Sequence, residues 1–513
     1  MTRRVDGQAF EPGRGHMAPH LLVARAMDSP DEIVLENVGS RTASTHRELL
    51  DSVTRWASAL AEVGVADGDF VVTMLTDQGD GLRAWLGAAF AGGIEVPINP
   101  QHRGDLLRTV IDQVAPRVVV VDPAIWADLD PEDLRASETI LLTDDDGIAR
   151  GHGRIRGLGP LLAKQPSIHE PPPLGPADTA AIIFTSGTTG PSKGVVVPWA
   201  TAYQLVSWVP DEAFGSGEAV YCPLPMFHMA GKSTFTNVLA RGARLVYREK
   251  FSASSFLDDV RSKSCVAANI VGPMVSFLHE TPVREDDAAN PLRAMLCGPM
   301  IPEIEEFKQR FGVAVATCYG MTEIGSVLAT SFDHGPWNSC GQIRKDYPWP
   351  EVRIVDADDR DIEPGTVGEL VVRTDCPSAF SPGYLRDAAK TADAWRNGWF
   401  HSGDAFRVDD AGHYYLVDRY KDTIRRRGEN VSSYEVEMAI TAHEGVAECA
   451  AVAAPGAHGD DDIIVFVIAT HPGAVDAVDL DRWASARLPS YMCPSEYRVV
   501  QNLPRNATSM RVK

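Results

Sequence analysis

The densest group of residues able to do chemistry lies in IIFTSGTTGPSKGVVV, which begins at Ile182. Thr185, Ser186, Thr188 and Thr189 supply hydroxyl donors, and Lys193 adds a full positive charge. Gly187 and Gly190 let the backbone come close to a ligand and turn its N–H groups toward anionic oxygens. An apolar run precedes the loop, so the segment reads as a buried strand that delivers an anion-binding turn. It departs from the GxxxxGK[ST] phosphate loop, because Lys193 is followed by Gly194 and no hydroxyl stands there to hold a magnesium ion.

Two later stretches carry complementary groups. In CYGMTEIGS (318–326), Tyr319 can stack on a purine face, Thr322 can donate to a phosphate and Glu323 can help hold Mg²⁺; a buried turn accounts for the stretch equally well. In GWFHSGDAFRVDDAGHYYLVDRYKD, Asp404 follows an aromatic strand in a Gly-Asp turn, where its two acceptors suit the hydroxyl pair of a ribose. The guanidinium of Arg419 can reach a ribose or a phosphate. A β-hairpin with an exposed turn acid and a surface Asp-Arg pair accounts for the same residues.

The elements around these stretches predict an α/β fold. HRELLDSVTRWASALAEVG spaces its apolar residues as a helix and ends at a glycine suited to a C-cap. DFVVTML reads as a short buried strand, GLRAWLGAAFAGGIEVPIN as a helix running into a strand, and RVVVVD as a strand again. Such alternation points to a largely parallel sheet. KQPSIHEPPPLGPAD (164–178) is a proline-rich surface crossing, and a second strand–helix series runs from about residue 180 to 330. EVRIVDADDRDIEPGTVGELVVR reads as strand, turn, strand. The remainder, with AECAAVAAPG, DIIVFVIAT, a short helix and EYRVVQNLP, forms a small α+β unit separable at Arg419–Asp422.

Composition sets the outer limits. A chain of 513 residues is too long for one core and predicts two or more domains. Apolar residues at 44% and charged residues at 23% are ordinary for a globular protein. The net charge of −22 argues against nucleic acid or an anionic membrane as the main partner. The eight cysteines are scattered without a CxxC pair, which favours reduced thiols in the cytoplasm over a disulfide framework or a zinc site. The N-terminal MTRRVDGQAFEPGRGH lacks the apolar region of a secretory signal, and no apolar run reaches the length of a membrane span.

Taken in order, TSGTTG, YGMTE, SGD, DRYKD and RRRGEN resemble the adenylate-forming superfamily of acyl- and aryl-CoA ligases, luciferases and non-ribosomal adenylation domains. The resemblance runs from near residue 40 to the end of the chain. It implies a large N-terminal domain of parallel-sheet α/β layers plus a β-rich part, with a small mobile α+β C-terminal domain. On that reading residues 1–418 bind ATP and the acyl acid, 419–422 form a hinge, and 423–513 form the small domain.

The same resemblance implies roles for individual residues. Thr185, Ser186, Gly187, Thr188, Thr189 and Lys193 would hold the triphosphate. Tyr319 would lie by the adenine, Thr322 on the α-phosphate and Glu323 on Mg²⁺, while Gly298 and Pro299 of LCGPMI would line the adenine and acyl sites. Asp404 would bind the ribose diol and Arg419 the ribose–phosphate side. Lys421 would be the pivot, and Gly428, Glu429 and Asn430 would form part of the CoA tunnel after the small domain turns. Within PLPMFHMAGK, His228 stands where amino-acid-activating domains carry an aspartate, so the chain looks like the acid–CoA branch; an acyl pocket of His228, Val271, Gly272, Gly298, Met321 and Ile324 would favour an uncharged acyl or aromatic body.

RRRGENVSSYEVE (425–437) looks most like the carnitine/crotonobetaine-type acid–CoA ligases. The implied substrates are ATP, Mg²⁺, coenzyme A as acceptor and a small carboxylic acid, with no nucleic acid and no membrane span; a homodimer is compatible. Two alternatives stay open: a stand-alone adenylating enzyme passing the acyl group to an amine or a carrier-protein thiol, and a catalytically silent nucleotide-binding relative. The tail LPRNATSMRVK departs from the PRTxTGKxxK ending of such enzymes. Met510 occupies the place of the first lysine, and Lys513, matching the second, survives; either Lys513 substitutes as the catalytic cation of the tail or the adenylation step is weakened.

Overall fold

The computed structural model describes residues 13–144, 153–185, 193–332, 335–345, 350–419, 424–426, 429–431, 433–455, 461–488, 490 and 492–504. By packing they divide into two compact units. One holds the described residues within Met1–Thr185, Ser192–Pro350 and Thr374–Asp393; the other holds Glu351–Arg373 and the described residues of Ala394–Lys513.

Two seven-stranded sheets build the first unit. In the first, Ala314–Ala316, Ala294–Gly298, Cys265–Val271, Ala219–Tyr221, Arg244–Tyr247 and Ile33–Asn37 lie side by side in parallel, and Thr42–Thr45 closes the edge antiparallel. In the second, Ile155–Gly157, Thr139–Leu142, Val118–Val121, Phe70–Met74, Ile94–Pro97 and Thr179–Thr185 are parallel, with Lys193–Pro198 antiparallel at the edge. Strands such as Val118–Val121 are buried along their whole length, as expected when helices cover both faces of a parallel sheet. The helix expected after Thr45 runs over His46–Glu62 and starts with a capping box, in which Thr45 and Glu48 satisfy each other's backbone N–H groups. Gly64 follows it at φ +96°, a conformation that favours glycine.

A three-stranded antiparallel ribbon, Cys318–Met321, Gly325–Ala329 and Gln342–Ile343, completes the first unit. In the second unit Glu351–Val355, Gly368–Arg373, Phe400–Val408 and Tyr414–Arg419 form an antiparallel sheet. A second core there gathers Ile424, Val431, Val436, Ile440, Cys449, Ile463, Val465, Val467 and Leu480. These side chains come from the strands Val446–Pro455 and Asp461–Ala469, the helices Ser433–Thr441 and Ala477–Ser485, and the ribbon Ile424–Arg426/Glu429–Val431. The eight cysteines form no disulfide with one another. Among the described residues no helix is long and apolar enough to cross a membrane.

One polar contact inside the first unit joins its two sheet systems. Lys232, on the helix Met229–Arg241, places its ammonium 2.5 Å from Glu95 of the strand Ile94–Pro97, and the two side chains are 0% and 1% exposed. Thr73 donates to the other carboxylate oxygen at 2.8 Å, and the Lys232 ammonium stands 4.8 Å from the centre of the Trp85 ring. Burial pushes Glu95 up and Lys232 down, and each charge offsets that push in its partner. Removing one partner strands a buried charge. We expect Lys232→Met to destabilise the fold by about 3–5 kcal/mol in urea unfolding, and the double variant Lys232→Met/Glu95→Gln to regain most of that loss. A single variant as stable as the wild type would contradict the assignment.

Candidate active site

The carboxyl ends of parallel strands are where open α/β sheets bind ligands, and the sequence-predicted residues of the first unit collect there. His228 lies in the segment after Ala219–Tyr221, Val271 and Gly272 end Cys265–Val271, and Gly298 and Pro299 end Ala294–Gly298. Tyr319 to Ile324 follow Ala314–Ala316. These four strands are consecutive neighbours in the sheet. The turns that leave them are tight: a Cβ on Gly272 would lie 2.6 Å from the Pro299 carbonyl, so only glycine lets the two turns meet.

The loop that opens the sequence is bracketed by a ladder pair. Thr185 sits directly opposite Lys193 in the antiparallel pairing of Thr179–Thr185 with Lys193–Pro198. The two ends of the loop are thereby fixed side by side, with the lysine at one of them. Ser186, Gly187, Thr188 and Thr189 lie outside the described residues, as do Lys421, Gly428, Met510 and Lys513.

Glu323 belongs to the hairpin between Cys318–Met321 and Gly325–Ala329. Its shape is over-determined. Gly325 takes φ +65°, and a Cβ there would fall 1.5 Å from the Gln204 side-chain oxygen; a Cβ on Gly320 would meet the Gly325 carbonyl at 2.2 Å. Gln204 reads both backbone groups of Ser326, accepting from its N–H at 2.8 Å and donating to its carbonyl at 2.9 Å. Arg344 donates to the Gln204 and Ser326 carbonyls, each at 3.0 Å. Tyr319, 8% exposed, and the fully buried Ile324 anchor the hairpin, while Met321 and Thr322 are half-buried. Gln204 and Arg344 were not legible as site residues, since nothing near them in sequence marks them as partners of this turn.

The Glu323 carboxylate is buried, and one of its oxygens accepts from the Tyr384 hydroxyl at 3.1 Å. Among the described residues no group of three or more His, Cys, Asp or Glu side chains could hold a metal by itself. Mg²⁺ keeps several waters and is bound through one or two protein carboxylates together with substrate phosphates, so a lone carboxylate suits it. Glu323 is the residue here that fits that ion.

His228 precedes the helix Met229–Arg241 and is half-buried, its ring 4.5 Å from that of Phe227. Helix and preceding turn approach so closely that a Cβ on Gly231 would lie 2.7 Å from the Pro225 carbonyl. Burial holds the imidazole below its ordinary value of 6.5, so it is neutral at pH 7 and offers one donor and one acceptor.

In the second unit Asp404 differs from its expected setting. It lies inside the strand Phe400–Val408 rather than in a turn, and it is 6% exposed, against the alternative of an exposed turn acid. Gly403, at φ +70°, lets the strand continue through an irregularity where pairing with Gly368–Arg373 shifts register. Glu369 fixes this point: it accepts from the Gly403 N–H at 2.9 Å, bonds His401 Nδ1 at 2.9 Å and accepts from Arg396 at 3.0 Å. Burial alone would raise the Glu369 carboxyl, but the His401 hydrogen bond and charge, with the Gly403 N–H and Arg396, hold it below the ordinary range. Asp404 pairs across the ladder with Arg419, so the two expected ribose-side positions are direct cross-strand neighbours. The backbones of Glu429 and Asn430 lie in the strand Glu429–Val431.

The burial of His228 has a measurable sign. Its folded-state value lies below its unfolded one, so the unfolded chain takes up a proton that the folded chain refuses, and stability falls as pH drops below about 6.5. We expect the His228 ring resonance, assigned with His228→Gln, to titrate below that of a histidine peptide, and the variant to lessen the acid-side loss of stability. A titration at or above the peptide value would contradict the burial argument.

Comparison with known proteins shows the family and the fold. Residues 22–385 match the model of the AMP-binding enzyme family, and residues 435–509 match the AMP-binding enzyme C-terminal domain. The chain is 27% identical over 491 residues to the crotonobetaine/carnitine–CoA ligase of Salmonella enteritidis, covering 91% of this chain and 92% of the relative. It is 28% identical over 490 residues to the protein of that name from Escherichia coli, with the same coverage. Among solved structures, o-succinylbenzoate CoA synthetase (MenE) of Bacillus subtilis with the acyl-adenylate OSB-AMP superposes at a TM-score of 0.83, with 24% identity over 96% of this chain and 97% of that one. ATP-bound MatB of Rhodopseudomonas palustris superposes at 0.82 with the same identity and coverage. With a match of that extent, the chain belongs to the AMP-binding enzyme family.

Proposed function

We propose that the protein is an ATP-dependent, AMP-forming acid–CoA ligase. In the first step an oxygen of the carboxylate attacks the α-phosphorus of ATP; the bond to the β-phosphate breaks and pyrophosphate leaves. In the second the CoA thiol, losing its proton, attacks the acyl carbon and AMP leaves. The observation that supports the reading is the ladder pair Thr185–Lys193, which holds the two ends of the candidate loop side by side, with the lysine 4.9 Å from the ring of Tyr384, whose hydroxyl donates to Glu323.

A carboxylate and a triphosphate repel each other, so the site must neutralise charge before it can align the attack. On this reading Lys193 and the hydroxyls of Thr185, Ser186, Thr188 and Thr189 hold the β- and γ-phosphates, and Thr322 donates to the α-phosphate. When bound, Mg²⁺ held by Glu323 supplies positive charge to the phosphates. Tyr319, Gly298 and Pro299 take the adenine, and Asp404 with Arg419 the ribose. The neutral imidazole of His228 faces the carboxylate without adding a charge, beside a pocket of Val271, Gly272, Met321 and Ile324. That pocket suits an uncharged acyl or aromatic acid. Lys421 is the pivot for the small domain, whose Gly428, Glu429 and Asn430 then border the CoA thiol. Eight cysteines with no disulfide among them support a cytoplasmic setting.

Acid-dependent exchange of labelled pyrophosphate into ATP, screened over carboxylic acids, tests the first step, and CoA-dependent thioester release tests the second. We expect Lys193→Ala and Glu323→Ala each to slow exchange by about 100-fold or more with the fold intact. Wild-type exchange in either would remove that residue from the site. For the tail, Met510→Lys should speed adenylate formation and leave thioester formation from supplied adenylate unchanged. No gain, together with collapse of adenylation in Lys513→Ala, would show that Lys513 already supplies the cation.

A further inference from the structure

We infer that Tyr384 is a positioning residue for the metal–phosphate end of this site, coupling the Glu323 carboxylate to the Lys193 ammonium. The inference rests on the adenylation reading above. Tyr384 meets both groups at once: its hydroxyl donates to Glu323 Oε1 at 3.1 Å, and its ring centre lies 4.9 Å from Lys193 Nζ, within cation–π range.

The segment around it is stitched to the two elements that carry those groups. Ser381 N–H donates to the Glu323 carbonyl at 2.7 Å. Leu385 N–H donates to the Gly194 carbonyl at 2.7 Å, and Val196 N–H donates to the Gly383 carbonyl at 3.1 Å. An isolated bridge pairs Tyr384 with Val195. Gly383 makes the approach with φ +140°, and a Cβ there would lie 2.5 Å from Thr391. Tyr384 is 7% exposed, so its ring and hydroxyl are held in place by the packing around them. A donor on one carboxylate oxygen sets the plane of the group, as partners behind metal ligands generally do. The same ring sets where the lysine charge stands. The metal carboxylate and the loop cation therefore hold a fixed separation, which a divalent ion and two phosphates must match.

The test compares Tyr384→Phe, which keeps the ring and deletes the hydroxyl, with Tyr384→Leu, which deletes both. The full-length protein is titrated calorimetrically with α,β-methylene-ATP, once with Mn²⁺ and once with EDTA. The ratio of the two dissociation constants reports the metal's contribution to nucleotide affinity, without turnover. We expect Tyr384→Phe to shrink that ratio about tenfold while leaving the metal-free constant unchanged. Tyr384→Leu should weaken metal-free binding as well. An unchanged ratio in Tyr384→Phe, or an equal loss with and without Mn²⁺, overturns the inference while leaving the adenylation reading standing. No nucleotide binding by the wild type overturns both. If Tyr384→Phe does not fold, Tyr384→His, which retains a donor but shifts it, is held to the same criterion.

Discussion

On the proposed reaction anion must meet anion, and that constraint bears on the unit that carries Lys193 and Glu323. A loop lysine and a buried carboxylate are brought to one place from strands of two different sheets. The segment Ser381–Leu385 binds both, accepting no slack in either: one hydrogen bond to the Glu323 carbonyl, one to the Gly194 carbonyl. Elsewhere in the same unit the buried Lys232–Glu95 pair ties the two sheet systems together. Without such ties, cation and carboxylate would sit on separate scaffolds free to drift by the ångström that costs an aligned attack much of its rate.

The fold supplies positions rather than reactivity. Four neighbouring parallel strands end at one edge, and each hands over a turn whose shape a glycine permits or a buried amide enforces. Gln204 holding both backbone groups of Ser326 is the clearest case: it transmits no charge to substrate, yet it fixes the hairpin that carries Tyr319, Thr322 and Glu323. In the second unit Glu369 acts likewise on Gly403, next to Asp404.

Much of this was legible in the sequence, for physical reasons. Apolar periodicity marked the helix His46–Glu62 and the strands around it, because burial on one or both faces leaves a repeating signature. The stretch from Thr185 to Lys193 could be read as a candidate loop because its chemistry is contiguous, and the structure describes only its two ends. Long-range partners were not. Tyr384 stands 61 residues from the carboxylate it contacts, and Lys232 stands 137 from Glu95, so no local pattern joins them. Asp404 was placed in a turn because Ser-Gly-Asp has turn composition. Pairing on both sides of Phe400–Val408 overrode that local preference and drew the residue into the sheet.

The central claim is that an acyl phosphate anhydride to AMP lies between acid and thioester. It is tested most directly by supplying the acid with ¹⁸O in its carboxylate and following the label through complete turnover with ATP and CoA. Attack of the carboxylate on the α-phosphorus predicts one ¹⁸O in the phosphate of AMP and none in pyrophosphate. Label in orthophosphate with ADP as co-product, or unlabelled AMP, would contradict it.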